Sequence, residues 1–258
     1  MQQSKRPLQD VKVIVTRPKQ RAAGLCQMIE QAGGTALQFA AIEITEPADF
    51  KSREYSRDHI SEFALAIFIS PTAVEKTFEF LATLPAGIKV SAIGSRTARV
   101  LEAMGRNVDI IPDGHDSESL LRHPQLQAEQ VAGKKIVIFR GEGGRELLGD
   151  TLQSRGAEVY YADMYRRSLP TSADQLGQYL AEADIIAISS NQGLQNLYDL
   201  ATDKDSLTRH ALVVPGERSF TLAKALGFSN IYVAENATDE ACMNALEYVT
   251  AKMSKKKS

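Results

Sequence analysis

The chain has 258 residues, with 30 Lys and Arg against 32 Asp and Glu, a formal net charge of −2 and a hydrophobic share of 43%. That length suffices for two domains with real cores, and the apolar content is that of an ordinary soluble globular protein. Near-neutral charge gives no overall pull toward nucleic acid or a membrane surface, and no segment approaches a membrane span. The cysteines, Cys26 and Cys242, sit among apolar residues at helical spacing and read as core thiols in a reducing cytosol. Met1 to Asp10 lacks the apolar core of a signal peptide, and the basic run from Lys252 to Lys257 reads as a solvated tail.

Taken in order, Val11 to Thr16 reads as a strand, and Pro18 falls at a helix start, where its missing N–H costs nothing. That helix runs from Gln20 to Ala32, with Leu25, Met28 and Ile29 on one face. Ala36 to Thr45 reads as one extended run of about ten residues, longer than a typical strand. Pro47 to Glu54 reads as a loop, followed by a short helix around Tyr55 to Glu62 and a strand from Leu65 to Ile69. Ser70-Pro71-Thr72 opens a helix that runs through Leu81. Strand Lys89 to Ile93, helix Thr97 to Met104, strand Val108 to Ile111 and a helix from Ser117 to Leu121 follow. Gln125 to Gly133 is a polar stretch between two halves.

The second half opens on Lys134-Lys135-Ile136-Val137-Ile138-Phe139-Arg140-Gly141-Glu142-Gly143-Gly144-Arg145-Glu146-Leu147-Leu148. Its four apolar, mostly β-branched residues predict a buried strand, and glycines then turn the chain into a helix from Glu146 to Arg155. Backbone N–H groups at such a turn form an anion site, to which Arg140 and Arg145 add charge. No Lys-Ser/Thr follows a second glycine, and Glu146 stands where a dinucleotide fingerprint needs its third glycine, so neither nucleotide motif is present. An extended run follows from Glu158 to Arg167. Then come strand Ile185 to Ile188, helix Gly193 to Leu200, strand Ala211 to Val214, helix Ser219 to Leu226, strand Ile231 to Val233 and a last helix from Asp239 to about Met253.

The halves repeat. Arg17 and Arg140, Gly33 and Gly156, and Pro47 and Pro170 share one offset. Leu65 to Ser70 answers to Asp184 to Ser189, and Ala92 to Thr97 answers to Val214 to Ser219. An internal repeat of strand–turn–helix units predicts two similar α/β halves with parallel sheets. Ligands of such sheets bind outside the carboxyl ends of the strands. That is where Thr16-Arg17, Ser70-Pro71-Thr72, Gly94-Ser95-Arg96-Thr97, Arg140-Gly141 with Gly143 beyond it, Ser189-Ser190-Asn191 and Gly216-Glu217-Arg218-Ser219 fall. Ser, Thr, Asn and Gly at these turns are ordinary helix caps. The arginines, Arg17, Arg96, Arg140 and Arg218, form two matched pairs beside helix starts and point to a polyanionic ligand. The histidines, His59, His115, His123 and His210, are scattered without ligand spacing, no G-x-S-x-G elbow occurs, and neither cysteine has a basic neighbour beside it. Tyr160, Tyr161 and Tyr165 cluster in the long extended run, where sheet packing explains them.

These residues together resemble the uroporphyrinogen-III synthase family, over nearly the whole chain from Val11 to about Val249. The resemblance rests on Thr16-Arg17-Pro18, Ile69-Ser70-Pro71-Thr72-Ala73-Val74, Ile93-Gly94-Ser95-Arg96-Thr97-Ala98, Phe139 to Leu147 and the strand around Tyr165. Ser189-Ser190-Asn191 departs from a Ser-Pro turn often found there, and Pro215-Gly216-Glu217-Arg218 from the usual Ile-Gly turn. The resemblance implies two flavodoxin-like α/β domains with their first strand–helix units exchanged. Residues 1–37 with 168–258 form one domain and 38–167 the other. The runs 38–46 and 158–167 then cross between the domains as a two-stranded antiparallel ladder.

It also implies the reaction. Linear hydroxymethylbilane is closed to uroporphyrinogen III with loss of water and inversion of ring D, in tetrapyrrole (haem) biosynthesis, with no cofactor and no metal. The bilane's eight carboxylates match a rim of arginines and helix N-termini. The chemistry passes through an azafulvenium cation and a spirocyclic intermediate, so holding the chain folded matters more than acid–base machinery. Tyr165, which the resemblance places on the cleft between the domains, is the candidate general acid or positioning residue. The implied protein is a cytoplasmic monomer whose partner is this small molecule, handed over by the preceding enzyme of the pathway, with no nucleic acid and no membrane. The competing reading from the residues is a cytosolic two-domain protein that closes on an anionic metabolite without turnover.

Overall fold

The computed structural model describes residues 6–171 and 174–257. Backbone contacts divide the chain into two compact units, Met1–Glu43 with Ser168–Ser258, and Ile44–Arg167. In chain order the elements begin β1 (Lys12–Val15), α1 (Lys19–Gln31), β2 (Thr35–Gln38), β3 (Glu43–Thr45), α2 (Lys51–Asp58), β4 (Leu65–Phe68), α3 (Pro71–Leu81), β5 (Lys89–Ala92) and α4 (Ser95–Ala103). Next come α5 (Ser117–Leu121), α6 (Ala128–Val131), β6 (Lys135–Gly141), α7 (Leu147–Ser154) and β7 (Glu158–Ser168). The chain closes with α8 (Gln175–Glu182), β8 (Ile185–Ala187), α9 (Asn191–Leu200), α10 (Lys204–Arg209), β9 (Ala211–Val214), α11 (Glu217–Ala225), β10 (Ile231–Val233) and α12 (Asp239–Lys257).

The first sheet has the order β10-β9-β8-β1-β2, with every neighbouring pair parallel. Its strands are short apolar runs, and alternation sends them to two cores. Val13, Val15, Ile185, Ala187, Ala211 and Val213 meet α1 and α12 through Leu25, Ile29, Leu246 and Val249. Ile14, Ile186, Leu212 and Val214 pack on the other face against Leu176, Leu194, Leu207 and Ala223 of α8 to α11. β1 thus sits between β2, its neighbour in sequence, and β8 from the second half of the chain.

The second sheet has the order β3-β7-β6-β4-β5, with the β4–β5, β4–β6 and β6–β7 pairs parallel. Ala66, Phe68, Val90, Ala92, Val137 and Phe139 build one core with α3 and α4, where the Phe68 and Phe139 rings stack with centroids 4.9 Å apart. Leu65, Ile67, Ile136 and Ile138 build the other with Leu120, Leu126, Val131, Leu148 and Leu152.

Several sequence expectations are corrected. Ala36 to Thr45 is not one strand. β2 stays in the first sheet, Phe39 and Ala41 donate their N–H groups to Val15 O and Thr16 O, and β3 belongs to the second sheet. The buried Phe39 and Ala41 anchor the break, since both lie in the first sheet's core. The short helix starts at Lys51 rather than Tyr55, with the Asp49 carboxylate accepting the Lys51 N–H at 2.8 Å. Val108 to Ile111 forms a single bridge, Ser91 to Ile110, rather than a strand. The polar stretch from Gln125 to Gly133 is no linker, because Leu126 and Val131 are fully buried beneath α7 and its sheet. The structure adds helices α8 and α10, and no described helix is long and apolar enough to cross a membrane.

Candidate active site

The loops singled out in the sequence lie at the carboxyl ends of strands, within each unit separately. In the second unit β4 ends at Phe68, and Ser70 caps α3 by accepting the Ala73 N–H on its hydroxyl at 3.0 Å. Pro71 occupies the first helical position, where a missing N–H is harmless. The Ser70 hydroxyl also lies 3.1 Å from the Tyr165 hydroxyl. Thr72, half-buried, follows in the same turn.

Tyr165 reaches that position through an irregularity in β7. Along a regular strand Tyr161, Asp163 and Tyr165 share a face, with Tyr160, Ala162 and Met164 on the other. The β6–β7 register shifts after Arg140, which faces Asp163, so that Gly141 faces Tyr165. A bulge of this kind re-aims the following side chain. Tyr165 accordingly joins Ala162 and Met164 in the core beneath α3, while Tyr161 packs in the opposite core. Gly141 is the residue this arrangement needs. A Cβ there would sit 2.7 Å from the tyrosine ring, inside any tolerable contact. The turn is closed by the Glu142 N–H donating to Tyr165 O at 2.7 Å.

Arg140 is held within the fold. Its side chain is 10% exposed, its Nε donates to Asp163 Oδ1 at 2.8 Å, and the guanidinium lies 3.7 Å over the Tyr161 ring. The expected strand-to-helix turn is also looser than its sequence suggests. α7 begins only at Leu147, and Gly143 adopts φ 72° in the intervening loop. The N–H groups between Gly141 and Leu147 therefore belong to a loop, not to a helix N-terminus. Arg145 points elsewhere and pairs with Glu118 at 2.9 Å.

In the first unit Thr16 is buried, its hydroxyl donating to Ala187 O at 2.8 Å across β1 and β8. Arg17 pairs with Asp239 at the start of α12 and donates to Ala237 O at 3.1 Å. Ser190 caps α9 by accepting the Gly193 N–H at 3.1 Å, and Ser189 precedes it half-buried. The buried Ser219 hydroxyl donates to Asn191 Oδ1 at 2.6 Å, joining α11 to α9.

The two units share one pattern. The helices after β4 and β8 are capped by serines Ser70 and Ser190, whereas α4 and α11 open at Gly94 and Gly216 with no side-chain cap. Of these four helices, the two without a side-chain cap carry the exposed Arg96 and Arg218 in their first turns, with Ser95 exposed beside Arg96. Uncapped N–H groups beside an arginine form an anion-binding edge. Arg17 and Arg140, the other matched pair, each face a carboxylate.

Those carboxylates, Asp163 and Asp239, were not among the sequence candidates. For Asp163 a signal existed, an acid alternating with Tyr161 and Tyr165 in an otherwise half-buried strand. For Asp239 none did, because an acid opening a helix is ordinary. Two of the histidines have structural partners. His59 stacks on Tyr55 at 4.1 Å, and His210 Nε2 lies 2.9 Å from Leu180 O. Among the described residues no group of three or more His, Cys, Asp or Glu is arranged to hold a metal ion. Burial pushes the Cys242 thiol up to about 11, and burial also raises Cys26.

Comparison with known proteins agrees with this architecture. The model of the family described as uroporphyrinogen-III synthase HemD matches residues 23–244. The uroporphyrinogen-III synthase of Escherichia coli strain K12 is 32% identical over 246 residues, covering 91% of this chain and 99% of its own. That of Salmonella typhimurium is 31% identical over the same length and shares. Among solved structures, uroporphyrinogen-III synthetase from Helicobacter pylori superposes with a TM-score of 0.62 over 93% of this chain and 99% of its own, at 15% identity. A mutant uroporphyrinogen III synthase from Thermus thermophilus gives 0.61 over 94% and 99%, at 19% identity. At those identities the structures speak for the fold, and the family match and the bacterial relatives speak for descent: the chain belongs to the uroporphyrinogen-III synthase family.

Proposed function

We propose that this chain closes linear hydroxymethylbilane to uroporphyrinogen III, with loss of water and inversion of ring D, and that Tyr165 assists the departing hydroxyl. Family membership makes it an enzyme of tetrapyrrole biosynthesis, a cyclising lyase. The observation that carries the residue assignment is the Tyr165 hydroxyl held 3.1 Å from the Ser70 hydroxyl at the N-terminus of α3. With its oxygen hydrogen-bonded to Ser70, this phenol can pass its own proton to a leaving hydroxyl, or stand beside the cation that forms.

Substrate carboxylates fit the uncapped edges, where Arg96 with Ser95 and Arg218 offer charge and the first N–H groups of α4 and α11 offer donors. Thr72, Gly141 and Gly143 in the second unit, and Thr16, Arg17, Ser189, Ser190, Asn191 and Ser219 in the first, complete the proposed strand-end surfaces. Arg17 serves these surfaces from within its ion pair, whereas Arg140 is enclosed with Asp163. The main demand of the reaction is geometric, since ring D has to attack through its substituted carbon.

Incubating the protein with freshly prepared hydroxymethylbilane, oxidising the products and resolving the isomers tests this reading. Isomer III in excess, formed faster than the spontaneous background, is the expected result. Isomer I alone at the background rate would leave a protein that binds the anion without turning it over, and would end the proposal.

A further inference from the structure

We infer that Arg140 and Asp163 are positioning residues whose cross-strand pair fixes the register shift that delivers the Tyr165 hydroxyl to Ser70. This inference rests on the reading of Tyr165 as the group that assists the leaving hydroxyl. The bulge has a fastening on each side. Upstream, Arg140 Nε donates to Asp163 Oδ1 at 2.8 Å across the β6–β7 pair, the last pair before the shift. Downstream, the Glu142 N–H donates to Tyr165 O at 2.7 Å, and Gly141 leaves room for the tyrosine ring.

A slip of one residue would return Tyr165 to the face of Tyr161, away from Ser70, because side chains alternate along a strand. The pair is built to resist that slip. The guanidinium is nearly enclosed, lying over the Tyr161 ring at 3.7 Å, and Asp163 has 22% of its side chain exposed. The Asp163 backbone is tied in as well, its N–H donating to the Ser52 hydroxyl of α2 at 3.2 Å. A carboxylate beside Arg140 also opposes the binding of further carboxylates there, which separates this role from that of an anion ligand.

The test measures kcat, KM and the ratio of isomer III to isomer I for Asp163→Asn, Arg140→Lys, Tyr165→Phe and the Asp163→Asn/Tyr165→Phe double variant. Thermal melting of each serves as the control for folding. Positioning predicts that Asp163→Asn and Arg140→Lys each lower kcat about fivefold or more with KM within about twofold, since lysine keeps the charge but loses the directed Nε bond. In the Tyr165→Phe background, Asp163→Asn is expected to add less than about twofold, because both changes act through the same hydroxyl.

A lower KM with unchanged kcat in Asp163→Asn would mean that the freed guanidinium binds substrate, and would overturn the inference. Full additivity in the double variant would do the same. If Tyr165→Phe alone keeps full kcat, the reading of Tyr165 falls and this inference with it. If Tyr165→Phe is slow while the Asp163 and Arg140 variants are not, only the positioning role falls. Should Asp163→Asn fail to fold, Arg140→Lys decides by the same split of kcat from KM.

Discussion

The hydroxyls of Ser70 and Tyr165 stand 3.1 Å apart, linking the cap of α3 to the far end of β7. One serine oxygen thereby serves a helix, through the Ala73 N–H, and a tyrosine. Removing the tyrosine hydroxyl in Tyr165→Phe keeps the ring in its core and is expected to lower kcat about tenfold, with stability changed by about 1 kcal/mol. Ser70→Ala loses both bonds and is expected to cost roughly 1–2 kcal/mol as well as kcat. Ser70→Thr keeps the hydroxyl and should restore most of each. Initial rates of isomer III formation and denaturant melts check these outcomes. Full kcat in Tyr165→Phe would reduce this tyrosine to packing.

Gly141→Ala probes the same placement from the other strand. The added methyl would meet the Tyr165 ring at 2.7 Å, and a ring that is 2% exposed has little space to retreat. A loss of about 1–3 kcal/mol is expected, as in other overpacked sites, with kcat falling more than KM rises. A variant with wild-type kcat would show that the ring can move without harm to the reaction.

Cutting the chain near Gln130 should give fragments that do not fold alone. The cut leaves β4 and β5 on one piece and β6 and β7 on the other, though β4 pairs with both β5 and β6. It likewise separates β1 from its partner β8. Fragments 1–130 and 131–258 are expected to lack a cooperative melt by circular dichroism. Independent two-state unfolding of each would contradict these sheet pairings.

Cys242 gives a pH signature. Burial raises its thiol from near 9 to about 11, so the folded state favours the protonated form. A folded value above the unfolded one contributes stability that is fully present below about pH 9 and is lost as pH rises through about 11, roughly 2–3 kcal/mol in all. Cys242→Ser should flatten that alkaline decline in denaturant melts. At pH 8 the native thiol should alkylate far more slowly than the unfolded one. Equal rates would show that the thiol is open to solvent.

Much of the fold was legible because its signals are local. The apolar runs at Val13–Val15, Ile136–Phe139, Ile185–Ala187 and Ala211–Val214 are each long enough for a buried strand. The Ser70-Pro71 and Ser190-Asn191 starts carry their own caps, and the repeat marked the strand-end loops. Residues that would line the proposed site could be named for the same reason, since parallel strands put their following turns at one edge.

What the sequence could not determine is which groups reach one another across the chain. The arginines at the matched positions looked alike, yet Arg17 and Arg140 face Asp239 and Asp163, while Arg96 and Arg218 stand exposed on uncapped helices. Residues 36–45 read as one strand because extended propensity is a property of each residue alone. Sheet membership depends on partners distant in sequence, and these divide the run between two sheets. The decisive case is Tyr165. Its composition and period place it on the face of Tyr161, and only the register shift against Gly141, a relation between two strands, turns its hydroxyl to Ser70. Local propensity determined the elements, and pairing between distant strands decided which side chains meet.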